Sequence, residues 1–403
     1  MKVYKYKLLR TATVSMSLNV LLKGQLRFFQ NNGFDVTCVS SYSPELYAFG
    51  LREGVRVRVV EMTRKISPFY DLYSLWRMYL LIKEIRPDIV HSHTPKAGII
   101  SMLAARIAGV PVRLHTVAGL PLMETRGIKK LILKSVEFLI YLCCTKVLPN
   151  SFGLQDYILK ERLVNRDKAK VLGNGSSNGI DTEFFSVLSI SSQTIASIKL
   201  NLGICDSDFV FLYVGRLVKD KGINELVEAF LNVYESTNSV YRPNVKLLLV
   251  GPFEMDLDPV SDKTLKIISD NNSILLTGYV SDVRPYFALS DCLVFPSYRE
   301  GFPNVVLQSG SMGLPSIVSN INGCNEIISD GLNGLIVPPK DVKSLTLAMK
   351  RVCFDPNFKI QSGMIAREII ESRYEQKVFW NLLKSEYLTQ LKLTTKYSIN
   401  SFY

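Results

Sequence analysis

Cys292-Leu293-Val294-Phe295-Pro296-Ser297-Tyr298-Arg299-Glu300-Gly301-Phe302-Pro303-Asn304-Val305-Val306-Leu307-Gln308 decides how this chain is read. It opens on a short apolar run of strand character, turns through a glycine that follows a carboxylate, and continues into a second apolar run that begins a helix. Strand, glycine turn and helix in that order make half of a βαβ unit, and open α/β sheets bind polar ligands outside the carboxyl ends of their strands. Glu300 and Gln308 both offer lone pairs to hydroxyl donors, which suits the vicinal hydroxyls of a sugar.

The same alternation runs along the rest of the chain. Segments 8–15, 36–40, 55–60, 89–93, 112–117 and 146–149 read as strands, with helical patterns at 18–31, 71–85, 97–108, 127–144 and 151–162. A second series of strands is expected at 209–214, 246–250, 274–277, 292–296, 315–318 and 334–337, again with helices between. This predicts an α/β protein with two doubly wound, Rossmann-like domains of parallel strands. At 403 residues two domains are also the expectation from size. The turn-rich stretch Gly173-Asn174-Gly175-Ser176-Ser177-Asn178-Gly179 marks the crossing, with domains over 1–180 and 181–375. Residues 186–208 are polar and weakly patterned.

Composition narrows the class. With 47% hydrophobic and 21% charged residues, the chain is globular in character. Seven cysteines form an odd set without a C-x-x-C pair, which predicts reduced thiols and a cytoplasmic protein. The basic start Met1-Lys2-Val3-Tyr4-Lys5-Tyr6-Lys7 leads into no apolar core of signal-peptide type, and no apolar run reaches the ~20 residues needed to span a bilayer. A soluble or membrane-peripheral protein is expected.

The net charge of +12 is unevenly placed: residues 1–180 carry 27 Lys and Arg against 12 Asp and Glu, residues 181–403 carry 21 against 24. The first half therefore meets something anionic, either nucleic acid or an anionic membrane surface. Nucleic acid is disfavoured, because no recognised module and no basic residues interleaved with stacking aromatics are present. The segment Arg126–Leu142 joins basic residues to an apolar stripe, and reads either as an interfacial helix or as a core-facing helix with a basic start.

Three loops carry candidate chemistry. Gly215-Arg216-Leu217-Val218-Lys219-Asp220-Lys221-Gly222 places cations between a strand and a helix, where a diphosphate can be held by charge-assisted hydrogen bonds. Its spacing is not that of a P-loop. Asn322-Gly323-Cys324-Asn325-Glu326 opens a further helix, and its glycine lets backbone amides approach an anion. His115 ends the strand 112–117 beside a small-residue loop, and Lys96 follows another strand end. His91 and His93 share one strand face, but no nearby Asp, Glu or Cys completes a ligand set, so no metal is assigned.

Taken together, these residues resemble the glycosyltransferase family 4 group of GT-B enzymes. The basic loop 215–222, the Glu300-Gly301-Phe302 turn and the 322–326 loop follow that family's order and spacing. Segments 91–98 and 112–122 are similar to the subgroup that builds bacterial surface polysaccharides on a lipid carrier. The resemblance implies two Rossmann-like domains facing a cleft, with a C-terminal helix near 376–395 packing back on the first. It implies retaining transfer of a hexose or N-acetylhexosamine from a UDP-linked donor, without a metal cofactor. The acceptor would be a polyprenyl-diphosphate-linked saccharide at the anionic inner face of the cytoplasmic membrane. Arg216 and Lys221 would hold the diphosphate. Glu300, Gly301, Phe302, Asn304, Gln308, Gly323 and Cys324 would line the donor, His115 the reaction centre, and Lys96, Ser17 and Asn19 the acceptor side.

Two departures from the family pattern stand out. The second glutamate of its seven-residue-spaced pair is Gln308 here, and the usual double glycine after the first strand is replaced by Ser15-Met16-Ser17-Leu18-Asn19. A GT-B nucleotide-sugar epimerase and a non-catalytic glycan-binding protein are the competing readings.

Overall fold

The computed structural model describes residues 5–63, 67–123, 125–236, 244–254 and 258–400; the first four residues of the basic N-terminal stretch lie outside that set. The chain forms two units, residues 1–179 with 377–403, and residues 180–376.

The first unit holds strands β1 (Tyr6–Thr11), β2 (Phe34–Ser40), β3 (Arg56–Val59), β4 (Ile89–Ser92), β5 (Val112–Val117) and β6 (Lys146–Pro149). Its helices are α1 (Ser15–Leu21), α2 (Gln25–Asn31), α3 (Pro44–Glu53), α4 (Pro68–Ile85), α5 (Pro95–Ile107), α6 (Gly127–Cys143) and α7 (Phe152–Lys160). The second unit holds β7 (Phe209–Val214), β8 (Val245–Val250), β9 (Ile274–Gly278), β10 (Cys292–Phe295), β11 (Ser316–Ser319) and β12 (Gly334–Val337). With them run α8 (Ser192–Leu202), α9 (Ile223–Ser236), α10 (Asp262–Asp270), α11 (Arg284–Ala288), α12 (Asn304–Ser311), α13 (Cys324–Ile327), α14 (Val342–Phe354) and α15 (Pro356–Tyr374). A last helix, α16 (Gln376–Asn400), belongs to the first unit.

Each sheet is parallel throughout its six strands, in the order β3-β2-β1-β4-β5-β6 and β9-β8-β7-β10-β11-β12. The chain therefore leaves the sheet in opposite directions from β1 and β4 and, in the second unit, from β7 and β10. These reversals are the switch points where such sheets bind ligands.

Because neighbouring side chains on a strand point to opposite faces, each strand of the first sheet feeds two cores. Leu8, Cys38 and Ile89 join α1, α2, α3 and α16 on one face, and Leu9, Val39 and Val90 join α4, α5 and α6 on the other. The second unit has one large core that includes Phe211, Leu212, Leu248, Val294 and Val318.

Three expectations are corrected. Residues 12–15 are not strand: β1 stops at Thr11, and α1 begins at Ser15. The helix expected over 18–31 is two short ones, broken at Gly24, whose φ of +79° is left-handed. The polar stretch 186–208 contains α8, capped by the Ser191 hydroxyl and closed by Gly203 in the left-handed conformation.

A buried polar cluster fixes α16 to the first sheet. Arg10, fully buried on β1, donates from Nη1 to the Tyr387 hydroxyl (2.6 Å) and from Nη2 to Gln25 Oε1 (2.6 Å). His93 Nε2 lies 2.5 Å from Nη2, and His91 Nδ1 lies 2.6 Å from the same Tyr387 hydroxyl. Nearby, Trp380 Nε1 and Gln25 Nε2 both donate to Asn178 Oδ1. Among the described residues no carboxylate hydrogen-bonds to Arg10, so both imidazoles serve as neutral groups around a cation. Burial, reinforced by the Arg10 charge, holds His91 and His93 well below the usual imidazole range.

Two outcomes test this cluster. Tyr387→Phe removes the hydroxyl shared by Arg10 and His91, and should lower stability by about 1–3 kcal/mol. Both tryptophans, Trp76 and Trp380, lie in the first unit, so tryptophan fluorescence in a urea titration reports its unfolding. The second outcome concerns pH. Burial also lowers His115 to about 3, so below the ordinary imidazole value near 6.5 the unfolded chain takes up three protons that the folded chain does not. Glu137, raised by burial to about 7, acts in the opposite sense with one proton. The balance is a loss of roughly 2–3 kcal/mol per pH unit as pH falls from about 6 to 5. A stability that is flat or rising over that interval would contradict the cluster's neutral imidazoles.

Candidate active site

In the second unit the loop after β7 is held down by close backbone approaches. Gly215 and Gly251 touch so nearly that a Cβ on Gly251 would stand 1.9 Å from the Gly215 carbonyl oxygen. Gly222 has a φ of +73°, and a Cβ there would stand 2.2 Å from the Pro296 carbonyl oxygen at the end of β10. Only glycine permits both the left-handed backbone and the contact. The contact carries Lys221, the residue before, onto the turn that follows β10.

There Lys221 Nζ meets Glu300 Oε1 at 2.6 Å, with both side chains mostly buried. Ser297 Oγ lies 3.1 Å from the same carboxylate oxygen. A third loop closes on this pair: Asn322 Nδ2 donates to the Gly301 carbonyl (2.8 Å), and a Cβ on Gly323 would stand 2.6 Å from that carbonyl. Cys324 follows, fully buried; burial, with a further push from the Glu300 charge, holds its thiol well above its ordinary value. It is a neutral SH beside the ion pair. Loops after β7, β10 and β11 thus converge on one carboxylate, as a switch point between β7 and β10 requires.

The other predicted residues of this unit fall into place around the turn. Arg216 is half-exposed and pairs with Glu254 (2.6 Å), and its own carbonyl accepts from the Tyr213 hydroxyl (2.9 Å). Asn304 opens α12 and Gln308 lies four residues on, so both occupy one helix face. The Gln308 side chain forms no hydrogen bond among the described residues and is part-exposed. Phe302 differs from expectation: its ring is buried in the core, 5.6 Å from the Tyr374 ring, and anchors the turn. The helix expected after the 322–326 loop is the single turn α13.

In the first unit His115, expected to end its strand, is buried within β5, which continues to Val117. Its Nδ1 lies 2.8 Å from Ser92 Oγ, and a Cβ on Gly98 would press on the ring at 2.7 Å. Its Nε2 forms no hydrogen bond among the described residues. Lys96, expected at a strand end on the acceptor side, lies in the first turn of α5, pairs with Asp71 (2.5 Å) and is largely covered. Asn19 accepts from Arg52 on α3, and Ser17 lies in the first turn of α1. Among the described residues no group of three or more His, Cys, Asp or Glu is placed to hold a metal ion.

Ser297, Ser92 and Glu254 escape sequence reasoning. Ser297 stands three residues before Glu300, a spacing that a strand-end turn brings together; the other two carry no local signal.

Comparison with known proteins gives this geometry a family. Residues 208–355 match the family described as "Glycosyl transferases group 1", and residues 11–151 match "Glycosyl transferase 4-like". The capsular polysaccharide biosynthesis glycosyltransferase CapM of Staphylococcus aureus is 33% identical over 96% of this chain and 98% of its own. The UDP-Gal:alpha-D-GlcNAc-diphosphoundecaprenol alpha-1,3-galactosyltransferase of Escherichia coli is 32% identical over 86% of this chain and 87% of its own. Among solved structures, Anabaena Alr3699/HepE in complex with UDP and glucose superposes with a TM-score of 0.79 at 16% identity, covering 96% of this chain and 100% of that one. With this relative matched along nearly its whole length, and with two parallel six-stranded sheets, the chain belongs to the family 4 glycosyltransferases of GT-B fold.

Proposed function

We propose that this glycosyltransferase moves a hexose or N-acetylhexosamine from a UDP-sugar to a polyprenyl-diphosphate-linked saccharide, with retention at the anomeric carbon, in surface polysaccharide synthesis. The observation that carries the reading is the Lys221–Glu300 pair, a cation and a hydroxyl-binding carboxylate delivered to one point by two loops. The names of two relatives support it: one is a capsular polysaccharide enzyme, the other uses a UDP-sugar and a lipid diphosphate acceptor.

On this reading Arg216 and Lys221 bind the donor diphosphate, and their charge stabilises the phosphate as the bond from the anomeric carbon to oxygen breaks. The Gly323 and Cys324 amides take no part in the loop's own hydrogen bonds and lie beside the donor. Glu300 accepts from sugar hydroxyls, and Gln308 accepts from a ribose hydroxyl with its neutral amide oxygen. The acceptor hydroxyl adds to the anomeric carbon on the face the diphosphate leaves, and its proton passes to the departing phosphate oxygen. No protein base and no metal cofactor enters this scheme. His115 lines the reaction centre through Nε2, while Lys96, Ser17 and Asn19 belong to the acceptor side. The enzyme works on the inner face of the cytoplasmic membrane, in peripheral contact with its anionic surface.

Arg216 engages Glu254 near the surface, so Arg216→Ala should fold normally and lower kcat/KM with a UDP-sugar and a lipid diphosphate acceptor by about 100-fold or more. Lys221→Ala should do the same. Unchanged turnover in folded Arg216→Ala would remove the diphosphate assignment. Ser92 supplies a separate test. A hydroxyl donating to Nδ1 leaves the His115 proton on Nε2, so ¹⁵N spectra should show that tautomer in the native enzyme. Ser92→Ala should mix the tautomers and lower kcat by about fivefold to tenfold; a single unchanged tautomer would refute the role.

A further inference from the structure

We infer that Asp220 and Arg299 are positioning residues for the transfer: their ion pair keeps two donor loops in register while the donor draws Lys221 and Glu300 apart. The inference rests on the donor assignment proposed above and adds what holds the site together as the donor enters.

The two ion pairs are built from adjacent residues. Asp220 and Lys221 lie on a short helical turn after β7, Arg299 and Glu300 on the turn after β10. Lys221 meets Glu300. One residue earlier on both loops, Arg299 donates to Asp220 Oδ2 from Nη2 (2.9 Å) and from Nε (3.1 Å). The order of charge is inverted between the loops, acid then base on one and base then acid on the other. A slip of one residue would therefore set Asp220 against Glu300, or Lys221 against Arg299. Like charges face to face are penalised, so the pattern favours a single register.

Exposure separates the roles of the pairs. The side chains of Lys221 and Glu300 are 16% and 18% exposed, whereas that of Arg299 is 53% exposed. The inner pair stands where the diphosphate and the sugar hydroxyls are proposed to bind, and the outer pair stands on the rim. When Lys221 turns to phosphate oxygens and Glu300 to hydroxyl donors, the bond that joins the loops through them is lost. The outer pair is not called on by the donor and persists.

Asp220 is fixed from behind. Its amide donates to Asp258 Oδ2 (2.7 Å), and the Lys219 amide donates to the Asp258 carbonyl (3.1 Å). The Asp220 carbonyl accepts from the Tyr298 amide (2.9 Å), and the Tyr298 hydroxyl donates to Glu225 Oε1 (2.6 Å) in the first turn of α9. Asp220 is thereby held at a set point, and Arg299 carries that constraint to the next residue, Glu300. A half-exposed pair contributes little to global stability. Its effect lies in how often the free loops are competent to bind. If they keep register about a tenth of the time without it, apparent donor affinity falls about tenfold while the bound complex, and kcat, are unchanged.

The Tyr298 amide, bonded across the two loops, reports their contact by hydrogen exchange without any ligand. Lys221→Met/Glu300→Gln replaces the inner pair with neutral groups and leaves no lone charge. This variant and Arg299→Gln should each keep Tyr298 protection within about threefold of native, whereas their combination should lose about tenfold or more. Amides inside β7 and β8 should be unaffected in all of them, which distinguishes loop opening from unfolding. Equal Tyr298 protection in all four chains would overturn the inference. In turnover, Arg299→Gln should raise the KM for the UDP-sugar about tenfold and change kcat by less than about twofold. Arg299→Lys should bring KM back towards the native value. Asp220→Asn should match Arg299→Gln, and the two together should be no worse than either. A fall in kcat as large as that expected of Arg216→Ala would make Arg299 a donor contact. A lower melting temperature with native KM would make the pair structural only. Either result overturns positioning. A native chain that transfers from no UDP-sugar refutes the proposed reaction instead, and the exchange measurement then decides the inference alone.

Discussion

A parallel sheet can be closed over only by crossing from the end of one strand back to the start of the next. Every strand of both units obeys that constraint, and the chemistry of the chain follows from it. All loops that leave strand ends gather at one edge, while those that return gather at the other. The loops after β7, β10 and β11 are far apart in sequence, yet the winding leaves them no other place to go. The same rule puts His93, Lys96 and His115 on one edge of the first unit. Helices on both faces then bury each strand twice, which is why strands such as 209–214 read as unbroken apolar runs.

Within that frame, glycines do more than turn the chain. Gly222 and Gly323 each let one loop's backbone touch another's, and the contact spacing is shorter than any side chain would allow. Lys221 and Glu300 owe their meeting to those contacts. Burying such a pair costs desolvation of both ions, offset only by close geometry and further hydrogen bonds such as that of Ser297. With its charge already met by Glu300, Lys221 has little pull on a bare anion. A ligand that offers both an anion and hydroxyls can engage each partner in turn, and so recovers what a phosphate alone would forfeit.

The fold was legible because its determinants are local. Alternating apolar runs and helical stripes placed all twelve strands to within a few residues, save that Thr11-Ala12-Thr13-Val14, β-branched and strand-like, belongs half to a loop. Helix α8 was missed because its apolar stripe is thin, only Ile195, Ile198 and Leu202 packing on the core, although Ser191 and Gly203 mark its two ends as cap residues. The site was legible as three loops and illegible as contacts. Nothing near position 221 announces an ion pair 79 residues away, and nothing near Arg10 points to Tyr387, 377 residues later. The outer stripe of α6 could not be assigned to lipid or to core from periodicity alone, since both require the same spacing.

Histidine usually makes a protein's charge sensitive to mild acidity. Here all three imidazoles are buried and held neutral, His115 to about 3 and the two others by burial beside Arg10. In the range where most enzymes gain positive charge from histidine, this folded chain gains none from its imidazoles, and the buried Glu137, at about 7, takes up a proton instead. The excess positive charge of residues 1–180 therefore responds to ionic strength, through screening, and no imidazole adds to it as pH falls through mild acidity.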